Sequence, residues 1–469
     1  MPNSDLRATF TSLGQAGVFR FFDSLDEAGK SKLLAQLAAI DTANLKSLVA
    51  GYVTGKPHIE LPKEIKPVDA YPRTPDAARK DLYAKAMTRG EQLLKEGKIA
   101  AFLVAGGQGT RLGYDGPKGE FPVTPIKNKP LFQLFAEQLL AHSRRAGKSI
   151  PWYLMTSDAN DARTRAFFEQ NHYFGYPKED VFFFQQGMMP AFNFDGTLLL
   201  ETKDSLALSA DGHGGSLRAI GKSGALADMK RRGIVHLSYF QVDNPLIQII
   251  DPLFIGLHDL AASEMSSKTI TKAGPLEKVG NFCVGDGVLQ VIEYSDLPES
   301  LALQATADGT PKFNAGSIAI HALRVDFIER LNSGGQLKLP WHRAEKKVPY
   351  VDESGALVKP EKPNAVKLEQ FVFDAIPLAK NSIVYTTDRA EEFSPVKNAE
   401  GGDSPATSKR DQVRRAARWL RAAGVSVPMK DGEPDATIEI SPLYATSEAE
   451  LVAKKPTLTI ASGDSVYLG

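Results

Sequence analysis

A short apolar run that ends in glycines constrains the fold of this chain most. The segment KIAAFLVAGGQGTRLG contains the apolar run Ile99–Val104, which is followed directly by a glycine-rich loop. A continuous apolar run of this length predicts a strand that is buried on both faces. LFQLFAEQLLAHSRRAG then predicts a helix and PWYLMTS a second buried strand. Strand, loop, helix and strand form a βαβ unit, so we expect an α/β domain with ligands at the carboxyl ends of its strands.

The N-terminal part of the chain predicts helices followed by an extended connection. Residues 1–50 carry apolar side chains at spacings of three and four, namely Leu25, Leu33, Leu34, Leu37 and Ile40. Asp41 is typical of the N-cap of a second, short helix. Closely spaced prolines then forbid a continuous helix, namely Pro57, Pro62, Pro67, Pro72 and Pro75. A helix is expected from Asp76 to Glu96.

Later segments predict further strands and a small C-terminal domain. IVHLSYFQVDN predicts an apolar strand that ends in an acid. Asp195-Gly196 and Asp286-Gly287, each between apolar flanks, predict hairpins folded over the edge of the parallel sheet. After a loop-like stretch, EGGDSPATSK, a helix is expected at RRAARWLRAAG and strands at ATIEISPLY and PTLTIASG. We therefore expect a division into 1–96, an N-terminal helical region with its proline-rich connection, 97–400, the α/β domain, and 401–469, a small C-terminal domain.

Composition excludes several classes of function. The 56 Lys and Arg residues equal the 56 Asp and Glu residues, which argues against a broad basic face for nucleic acid. The single cysteine, Cys283, excludes an internal disulfide and a cysteine-based zinc site, and we expect it to be buried. No apolar run approaches the roughly 18–20 residues of a membrane span, and the N-terminus lacks a secretory signal pattern. A cytoplasmic location is expected, and no sequence feature indicates an oligomeric state.

The glycine-rich loop predicts an anion site. Its glycines, Gly106, Gly107 and Gly109, let the backbone approach a bound group, and exposed N–H groups there form an anion-binding nest. Arg111 adds a planar cationic group and Lys118 a point charge, which together suit a triphosphate. The loop is neither a Walker A motif nor G-x-G-x-x-G. The alternative from these residues alone is a structural turn with a solvated arginine and lysine.

The segment LVAGGQGTRLGYDGPKGEFPV resembles the signature loop of the UDP-sugar pyrophosphorylases, in particular the eukaryotic-type UDP-N-acetylglucosamine pyrophosphorylases. QQGMMPAFNFDG, DGHGGSLRAI, VDNPLIQIIDPLFIG, FNAGSIAIHAL, KPNAVKLEQFVFD and EEFSPVKNAE are also similar to blocks of that family, in the same order. The resemblance implies a central, Rossmann-like nucleotide-binding α/β domain of the nucleotide-diphospho-sugar transferase type with a mixed sheet. It also implies an N-terminal helical region and a small C-terminal α+β domain.

The resemblance implies roles for individual residues on the nucleotide side. The loop residues that would bind the nucleotide phosphates are Ala105, Gly106, Gly107, Gly109 and Thr110. Arg111, Lys118 and Lys397 would be catalytic, because they place positive charge on the phosphates. Gln186 would read uracil through its amide, Gly212 would lie against the base, and His213 would donate a hydrogen bond to the nucleotide. Asp243 would bind Mg²⁺, the implied cofactor.

On the sugar side the resemblance implies contacts from Gly280, Glu293 and Asn314. Phe371 and Phe373 alternate as strand residues do, so they are either a wall for the sugar or part of the core. The implied reaction joins UTP to a sugar 1-phosphate, giving a UDP-sugar and pyrophosphate. N-acetylglucosamine 1-phosphate is the expected substrate. His213, where the N-acetylglucosamine enzymes more usually carry Asn, favours glucose 1-phosphate or a broad enzyme as the alternative, and a non-catalytic nucleotide-sugar binder is the alternative of another class.

Overall fold

The structure, a computed structural model, describes residues 3–55, 61–334 and 339–469. Its α-helices are α1 (Asn3–Ser12), α2 (Glu27–Ala38), α3 (Thr42–Leu48), α4 (Lys80–Lys95), α5 (Leu131–Ala146), α6 (Asp161–Gln170), α7 (Gly215–Lys222), α8 (Ala225–Arg231), α9 (Pro252–Leu260), α10 (Glu299–Ala302), α11 (Val325–Asn332), α12 (Arg389–Glu392), α13 (Pro405–Ala422) and α14 (Glu448–Lys454). Short 3₁₀ turns include Thr110–Leu112, Lys118–Glu120 and Val372–Leu378.

The strands of the described residues are short, and many occur as pairs. They are β1 (Ile65–Pro67), β2 (Ile99–Val104), β3 (Trp152–Thr156), β4 (Val181–Gln185), β5 (Met188–Pro190), β6 (Phe192–Asn193), β7 (Leu200–Thr202), β8 (Ser205–Leu206), β9 (Leu208–Ala210), β10 (His236–Gln241), β11 (Met265–Thr271), β12 (Asn281–Gly285), β13 (Val288–Ile292), β14 (Ala315–Arg324), β15 (His342–Lys346), β16 (Tyr350–Val351), β17 (Leu357–Val358), β18 (Ala365–Glu369), β19 (Val384–Thr387), β20 (Met429–Lys430), β21 (Glu433–Pro434), β22 (Thr437–Ile440) and β23 (Ser465–Leu468).

The chain divides into two compact units, each of which contains several segments. Unit 1 comprises Met1–Leu61, Gln186–Arg218 and Lys338–Asp374, and unit 2 comprises Pro62–Gln185, Ala219–Leu337 and Ala375–Gly469. The three-part division into 1–96, 97–400 and 401–469 remains a prediction.

Unit 2 contains a mixed sheet of ten strands, which confirms the predicted α/β fold with a mixed sheet. β10, β2, β3 and β4 are neighbours in this order and parallel. β14 runs antiparallel to both β10 and β11, so β11 points the same way as β10. The carboxyl ends of β2, β3, β10 and β11 therefore lie at one edge of the sheet, where α/β folds bind ligands. The buried apolar residues of β2, β3 and α5 form the core beneath that edge.

Unit 1 contains the N-terminal helices and small antiparallel sheets. Leu33 and Leu37 of α2 are fully buried, and Leu25, Leu34 and Ile40 pack around the same core, which confirms the predicted apolar face. Asp41 precedes α3 as predicted, but its carboxylate accepts from Asn44 Nδ2 at 2.7 Å instead of capping the helix backbone. The largest sheet of unit 1 has the order β15-β18-β6.

Several predicted elements are confirmed with small shifts. β2 has the predicted bounds, and the Asp286-Gly287 turn joins β12 to β13 in the large sheet. Cys283 on β12 is fully buried, and burial raises the pKa of its thiol to about 11. The helix expected from Asp76 begins at Lys80. Among the clustered prolines, Pro67 ends strand β1, whereas Pro57 lies outside the described residues.

Three predictions were wrong. The Asp195-Gly196 turn forms, but β6 pairs with β18 in unit 1 and is not part of the large sheet. SPATSK is not a loop: Ser404 caps α13 through a capping box, with Pro405 in the first helical turn. PTLTIASG is not a strand, because β22 instead pairs in parallel with Ser465–Leu468. No helix of the described residues is long and apolar enough to cross a membrane.

Candidate active site

The glycine-rich loop follows β2 in unit 2 and is folded back on itself. Lys118 N–H donates to Gly107 O at 3.1 Å, and Gly109 N–H donates to Gly116 O at 2.8 Å. Two polar side chains that follow β3 hold the loop from the side: Asn160 Nδ2 donates to Ala105 O at 3.0 Å and Ser157 Oγ to Gly106 O at 2.9 Å. Carbonyl oxygens of the loop are therefore turned toward protein donors.

The N–H groups of the same loop remain available. Within residues 61–334 and the other described ranges, the N–H groups of Gly106, Gly107 and Gln108 have no protein acceptor. Gly107, Thr110 and Arg111 are exposed, and Gly106 is half-buried. A run of unpaired N–H groups beside a cation is the arrangement that binds phosphate in backbone nests. This geometry favours a phosphate site over a structural turn.

We expect Gly107→Ala to abolish most activity without harming the fold. A β-carbon on Gly107 has no protein atom within 4 Å, whereas one on Gly109 would lie 2.9 Å from Tyr114 Cβ. A methyl group at Gly107 would thus meet only a bound phosphate, and we expect kcat/KM to fall roughly 10²-fold, as for a 1 Å misplacement of substrate. Gly109→Ala should instead lower the free energy of unfolding by about 1–3 kcal/mol through overpacking, and Tm should fall with it. Full activity of Gly107→Ala would exclude phosphate binding at that position.

Lys118 is the buried cation of the site. It lies in the 3₁₀ turn Lys118–Glu120 and is 8% exposed. Burial lowers the pKa of Lys118, and the carboxylate of Asp243 opposes that change. The positive charges of Arg111 and Lys397 lower the pKa of Lys118 further. Asp243, Arg111 and Lys397 therefore all lie near enough to influence the protonation of Lys118. The structure thereby brings Arg111 and Lys118 of one loop together with Asp243 and Lys397, which are distant in sequence.

An ion pair between a half-exposed arginine and a buried carboxylate holds the turn that carries Lys118. Glu120 is 7% exposed, and Arg163 of α6 donates to its carboxylate from Nη2 at 2.7 Å and from Nε at 3.0 Å. Tyr114 Oη also donates to Glu120, at 2.9 Å. Glu120 and Arg163 were not among the sequence-predicted site residues, and no motif spacing connects them. Ser157 and Asn160 were also missed, although their place at the end of the predicted strand PWYLMTS and just after it is a signal for them.

Asp243 and Lys397 are held beside each other by backbone and amide contacts. Asp243 follows β10 and accepts from Val396 N–H through its backbone carbonyl at 2.7 Å. The neighbouring Asn244 donates from Nδ2 to Glu392 O at 2.6 Å and accepts from Ser394 N–H at 3.1 Å. These bonds attach the segment that ends in Lys397 to the loop after β10. Lys397 Nζ itself lies 3.4 Å from Asp403 Oδ2.

The donor set at Asp243 suits Mg²⁺ held jointly with phosphate. No group of three or more His, Cys, Asp or Glu that could hold a metal occurs in the part of the chain that the structure describes. Mg²⁺ commonly binds one or two carboxylates and takes its other ligands from water and substrate phosphates. A half-buried carboxylate at the end of β10, whose charge acts on Lys118, has this character.

The sugar-side residues of unit 2 gather at the same edge of the large sheet. A β-carbon on Gly280 would lie 3.1 Å from Glu293 Oε1, and Gly280 O accepts from Ser317 N–H at 2.8 Å. Asn314 precedes β14, and its carbonyl accepts from Lys272 N–H at 2.9 Å just after β11 ends. The strand ends therefore bring these three residues, predicted from separate segments, to one place.

Unit 1 gathers the remaining predicted residues around the backbone of Gln370. Gly212, with φ of 84°, would place a β-carbon 2.4 Å from Gln370 O, so only glycine permits this approach. Asp211 N–H donates to Gly187 O at 3.1 Å, which holds the residue after Gln186 against the same loop. Gln186 is half-buried, and its amide makes no hydrogen bond within the described residues of unit 1.

The rings of His213, His342 and Phe371 form a stack in unit 1. His213 lies parallel to Phe371 with ring centroids 5.1 Å apart, and His342 covers Phe371 at 4.1 Å. Phe373 is tilted against Phe371 at 5.2 Å. The prediction that Phe371 and Phe373 alternate along a strand was wrong, because β18 ends at Glu369 and a 3₁₀ turn begins at Val372. His342 was not predicted from the sequence.

His213 is a neutral hydrogen-bond donor in this stack. Val372 N–H donates to His213 Nδ1 at 3.1 Å, so the ring proton resides on Nε2. Burial, with a smaller effect of the His342 charge, lowers the pKa of His213 to about 4. The ring is therefore uncharged near neutral pH and can donate from Nε2, which agrees with the predicted role and not with that of a general base.

We expect His213 to make stability depend on pH between about 6.5 and 4. In this window the ring binds a proton in the unfolded protein but stays neutral in the folded protein. The free energy of unfolding therefore decreases as pH falls, by up to about 3 kcal/mol. His213→Asn keeps an acceptor for Val372 N–H but cannot titrate. Its Tm should fall less than that of the wild type between pH 7 and pH 4.5. The exposed His172→Asn is the control, and parallel profiles for all three proteins would contradict this assignment.

Comparisons with known proteins agree with this geometry. A family model described as UTP–glucose-1-phosphate uridylyltransferase matches residues 51–402. The chain is 38% identical to UDP-N-acetylhexosamine pyrophosphorylase-like protein 1 of Xenopus tropicalis over 92% of this chain and 90% of that protein. It is 35% identical to UDP-N-acetylglucosamine pyrophosphorylase of Saccharomyces cerevisiae over 92% of this chain and 93% of that protein. The structure is similar to the crystal structure of uridine diphosphate N-acetylglucosamine pyrophosphorylase from Trypanosoma brucei in complex with inhibitor. Here the TM-score is 0.79 and the identity 27%, over 95% of this chain and 93% of that chain.

Proposed function

Because the chain belongs to the UTP–glucose-1-phosphate uridylyltransferase family, we propose that it joins UTP to N-acetylglucosamine 1-phosphate, forming UDP-N-acetylglucosamine and pyrophosphate. The observation that carries this proposal is the group of charges around Lys118. A desolvated lysine, a loop with unpaired N–H groups and the cations Arg111 and Lys397 meet at the carboxyl edge of one sheet. Such a site suits a reaction between two anions.

The reaction needs charge neutralisation and alignment more than acid–base chemistry. A phosphate oxygen of the sugar phosphate attacks the α-phosphorus of UTP, and the bond from that phosphorus to the oxygen bridging to the β-phosphorus breaks. Pyrophosphate leaves with the bonding electrons. The attacking oxygen is already an anion, so no base has to remove a proton. Lys118 and the loop N–H groups would neutralise charge on the leaving group, and Lys397 would hold the two substrates in line.

In this proposal Asp243 binds Mg²⁺ together with the phosphates of the nucleotide. When bound, the ion would supply further positive charge to the phosphates that repel each other. Gln186 would pair with the uracil edge through its unoccupied amide, and His213 would donate to the nucleotide from Nε2. Gly280, Glu293 and Asn314 would contact the sugar, with Phe371 and Phe373 as its apolar wall. We also propose the cytoplasmic location and the three-part domain division that the sequence predicts.

A panel of substrates tests the function directly. Pyrophosphate release should occur with UTP and N-acetylglucosamine 1-phosphate, require Mg²⁺, and be weak with ATP, CTP and dTTP. Glucose 1-phosphate is the competing substrate that the histidine at position 213 favours, so kcat/KM for both sugar phosphates decides between them. A higher kcat/KM for glucose 1-phosphate would overturn the choice of sugar. Absence of pyrophosphate release with every sugar phosphate would support a non-catalytic nucleotide-sugar binder.

A further inference from the structure

A cavity lies in unit 2, and its lining contains none of the residues assigned to UTP and the sugar. Its volume is about 340 Å³, within the range of cavities that bind small molecules. Its walls come from the C-terminal elements α13 and β22, the loop Thr124–Pro125 and the segment Glu391–Glu392. Apolar side chains, among them Leu134, Ile247 and Ile438, alternate with polar ones along this lining.

One lining carboxylate is buried without a counterion. Glu439 on β22 is 5% exposed, and its Oε2 accepts from the N–H groups of Ile126 and Lys127, both at 2.7 Å. Its Oε1 is buried and has no hydrogen-bond partner among the described residues. Nor does Glu439 pair with a lysine or arginine anywhere in those residues. A buried carboxylate oxygen in this state lacks a hydrogen-bond donor, and a ligand that enters the cavity and displaces the atoms covering this oxygen would supply one.

The other buried charges of the cavity already have partners. Asp251 and Glu392 share Lys268 Nζ at 2.7 Å each. Glu391 accepts from Arg418 Nη2 at 2.9 Å and from Trp419 Nε1 at 2.8 Å.

The guanidinium groups that line the cavity are engaged as well. Arg415 donates to the carbonyl oxygens of Leu246 and Glu391, both at 2.9 Å, and Arg73 pairs with Asp388 at 2.8 Å. Among the buried carboxylates that line the cavity, Glu439 is therefore the one with an oxygen that has no hydrogen-bond donor among the described residues.

We propose that this cavity binds a small organic molecule that carries a protonated amine on an apolar body, with the amine donating to Glu439. The ammonium group would complete the hydrogen bonds of the carboxylate and neutralise its charge. The apolar body would lie against Leu134, Ile247 and Ile438. A carboxylate of the same shape would be excluded by Glu439, and a neutral alcohol would satisfy the oxygen without neutralising it.

The position of the cavity couples it to the phosphate site. Helix α13 contacts the two chain segments that contain Lys118 and Lys397. Gln412 Nε2 donates to Val123 O at 2.8 Å, a few residues after Lys118. Ser408 Oγ donates to Ser394 O at 2.9 Å, just before Lys397. A ligand that shifts α13 would therefore change the position of both lysines, a part of the inference that rests on the proposed function.

Binding is tested on the full chain by ligand-observed NMR titration with three probes of matched shape. The probes are 2-phenylethylamine, 2-phenylethanol and 3-phenylpropionate. We expect the amine to bind at least tenfold more tightly than the alcohol and the acid to show no binding. Glu439→Gln should weaken amine binding at least tenfold, whereas Glu448→Gln, at an exposed carboxylate of the same lining, should change it less than twofold. No amine binding, equal binding of the alcohol, or an unchanged affinity in Glu439→Gln would overturn the site.

Coupling is tested separately by pyrophosphate release in the presence of the amine. We expect kcat/KM to change at least twofold in the wild type and not in Glu439→Gln at the same amine concentration. Unchanged rates at saturating amine would overturn the coupling while the titration still decides the site. Absence of turnover with any sugar phosphate would contradict the proposed function and leave the binding result standing. If Glu439→Gln fails to fold, the comparison of the three probes on the wild type still decides.

Discussion

Lys118→Met is expected to lower kcat/KM for pyrophosphate release by roughly 10²–10³-fold, equal to about 3–4 kcal/mol of transition-state stabilisation. The ammonium group of Lys118 is buried, so its charge acts on bound phosphates through little intervening water. Methionine fills a similar volume without the charge. The loss should appear in kcat more than in KM, because charge on the leaving pyrophosphate develops in the transition state.

The same substitution should leave the fold intact. Burial lowers the pKa of Lys118, which means that the folded protein holds this charge at a cost. Removing the charge should therefore keep Tm or raise it slightly. Lys95→Met, at an exposed position of α4, is the matched control and should change neither quantity. A kcat/KM within threefold of the wild type in a folded Lys118→Met protein would refute the role assigned to Lys118.

Asp243→Asn should reduce activity by roughly 10²-fold or more, because a correctly placed metal ion supplies several kcal/mol to phosphate chemistry. Asparagine keeps the shape of the side chain, and the hydrogen bond from Val396 N–H goes to the backbone carbonyl of residue 243, so the local fold is retained. The variant should also need much more Mg²⁺ for half-maximal activity. Initial rates measured against Mg²⁺ concentration give both quantities.

Two further measurements separate metal binding from a general loss of activity. Mg²⁺ should enhance the protection that UTP gives against thermal unfolding in the wild type and do so less in Asp243→Asn. Asp158→Asn, the same change at an exposed acid after β3, should behave like the wild type. Retention of the wild-type Mg²⁺ dependence in Asp243→Asn would show that the metal ligand lies elsewhere.

The elements that the sequence predicted best are those whose signal is local. β2 and α5 were predicted almost to the residue, because a short apolar run and a helical period are read from neighbouring positions. The start of α13 was missed although its signal is local, since the N-cap Ser404 and Thr407 of the first turn form a capping box. Its serine, proline and threonine were interpreted as a loop.

Errors of the other kind arose where pairing partners decide the structure. Asp195-Gly196 does form a turn, but its flanking strand pairs with β18, which lies far away in sequence. The segment PTLTIASG has a strand-like composition, yet the backbone of β22 pairs with the residues that follow it. Likewise, the stack of His342 on Phe371 follows from the pairing of β15 with β18, which no periodicity reveals.

By itself the sequence determined that this chain contains a βαβ unit with a glycine-rich loop after its first strand, and its motifs determined the family. These properties are read from neighbouring residues, because an apolar run, the backbone freedom of glycine and the charges of a loop are all local features of the sequence. Only the tertiary structure decided which distant groups meet. The order β10-β2-β3 and the contacts of Asn244 bring Asp243 and Lys397 close enough for their charges to act on Lys118. Likewise, the burial of Glu439 against the backbone of Ile126 and Lys127 joins residues that are distant in sequence, so no local pattern predicts its unpaired oxygen.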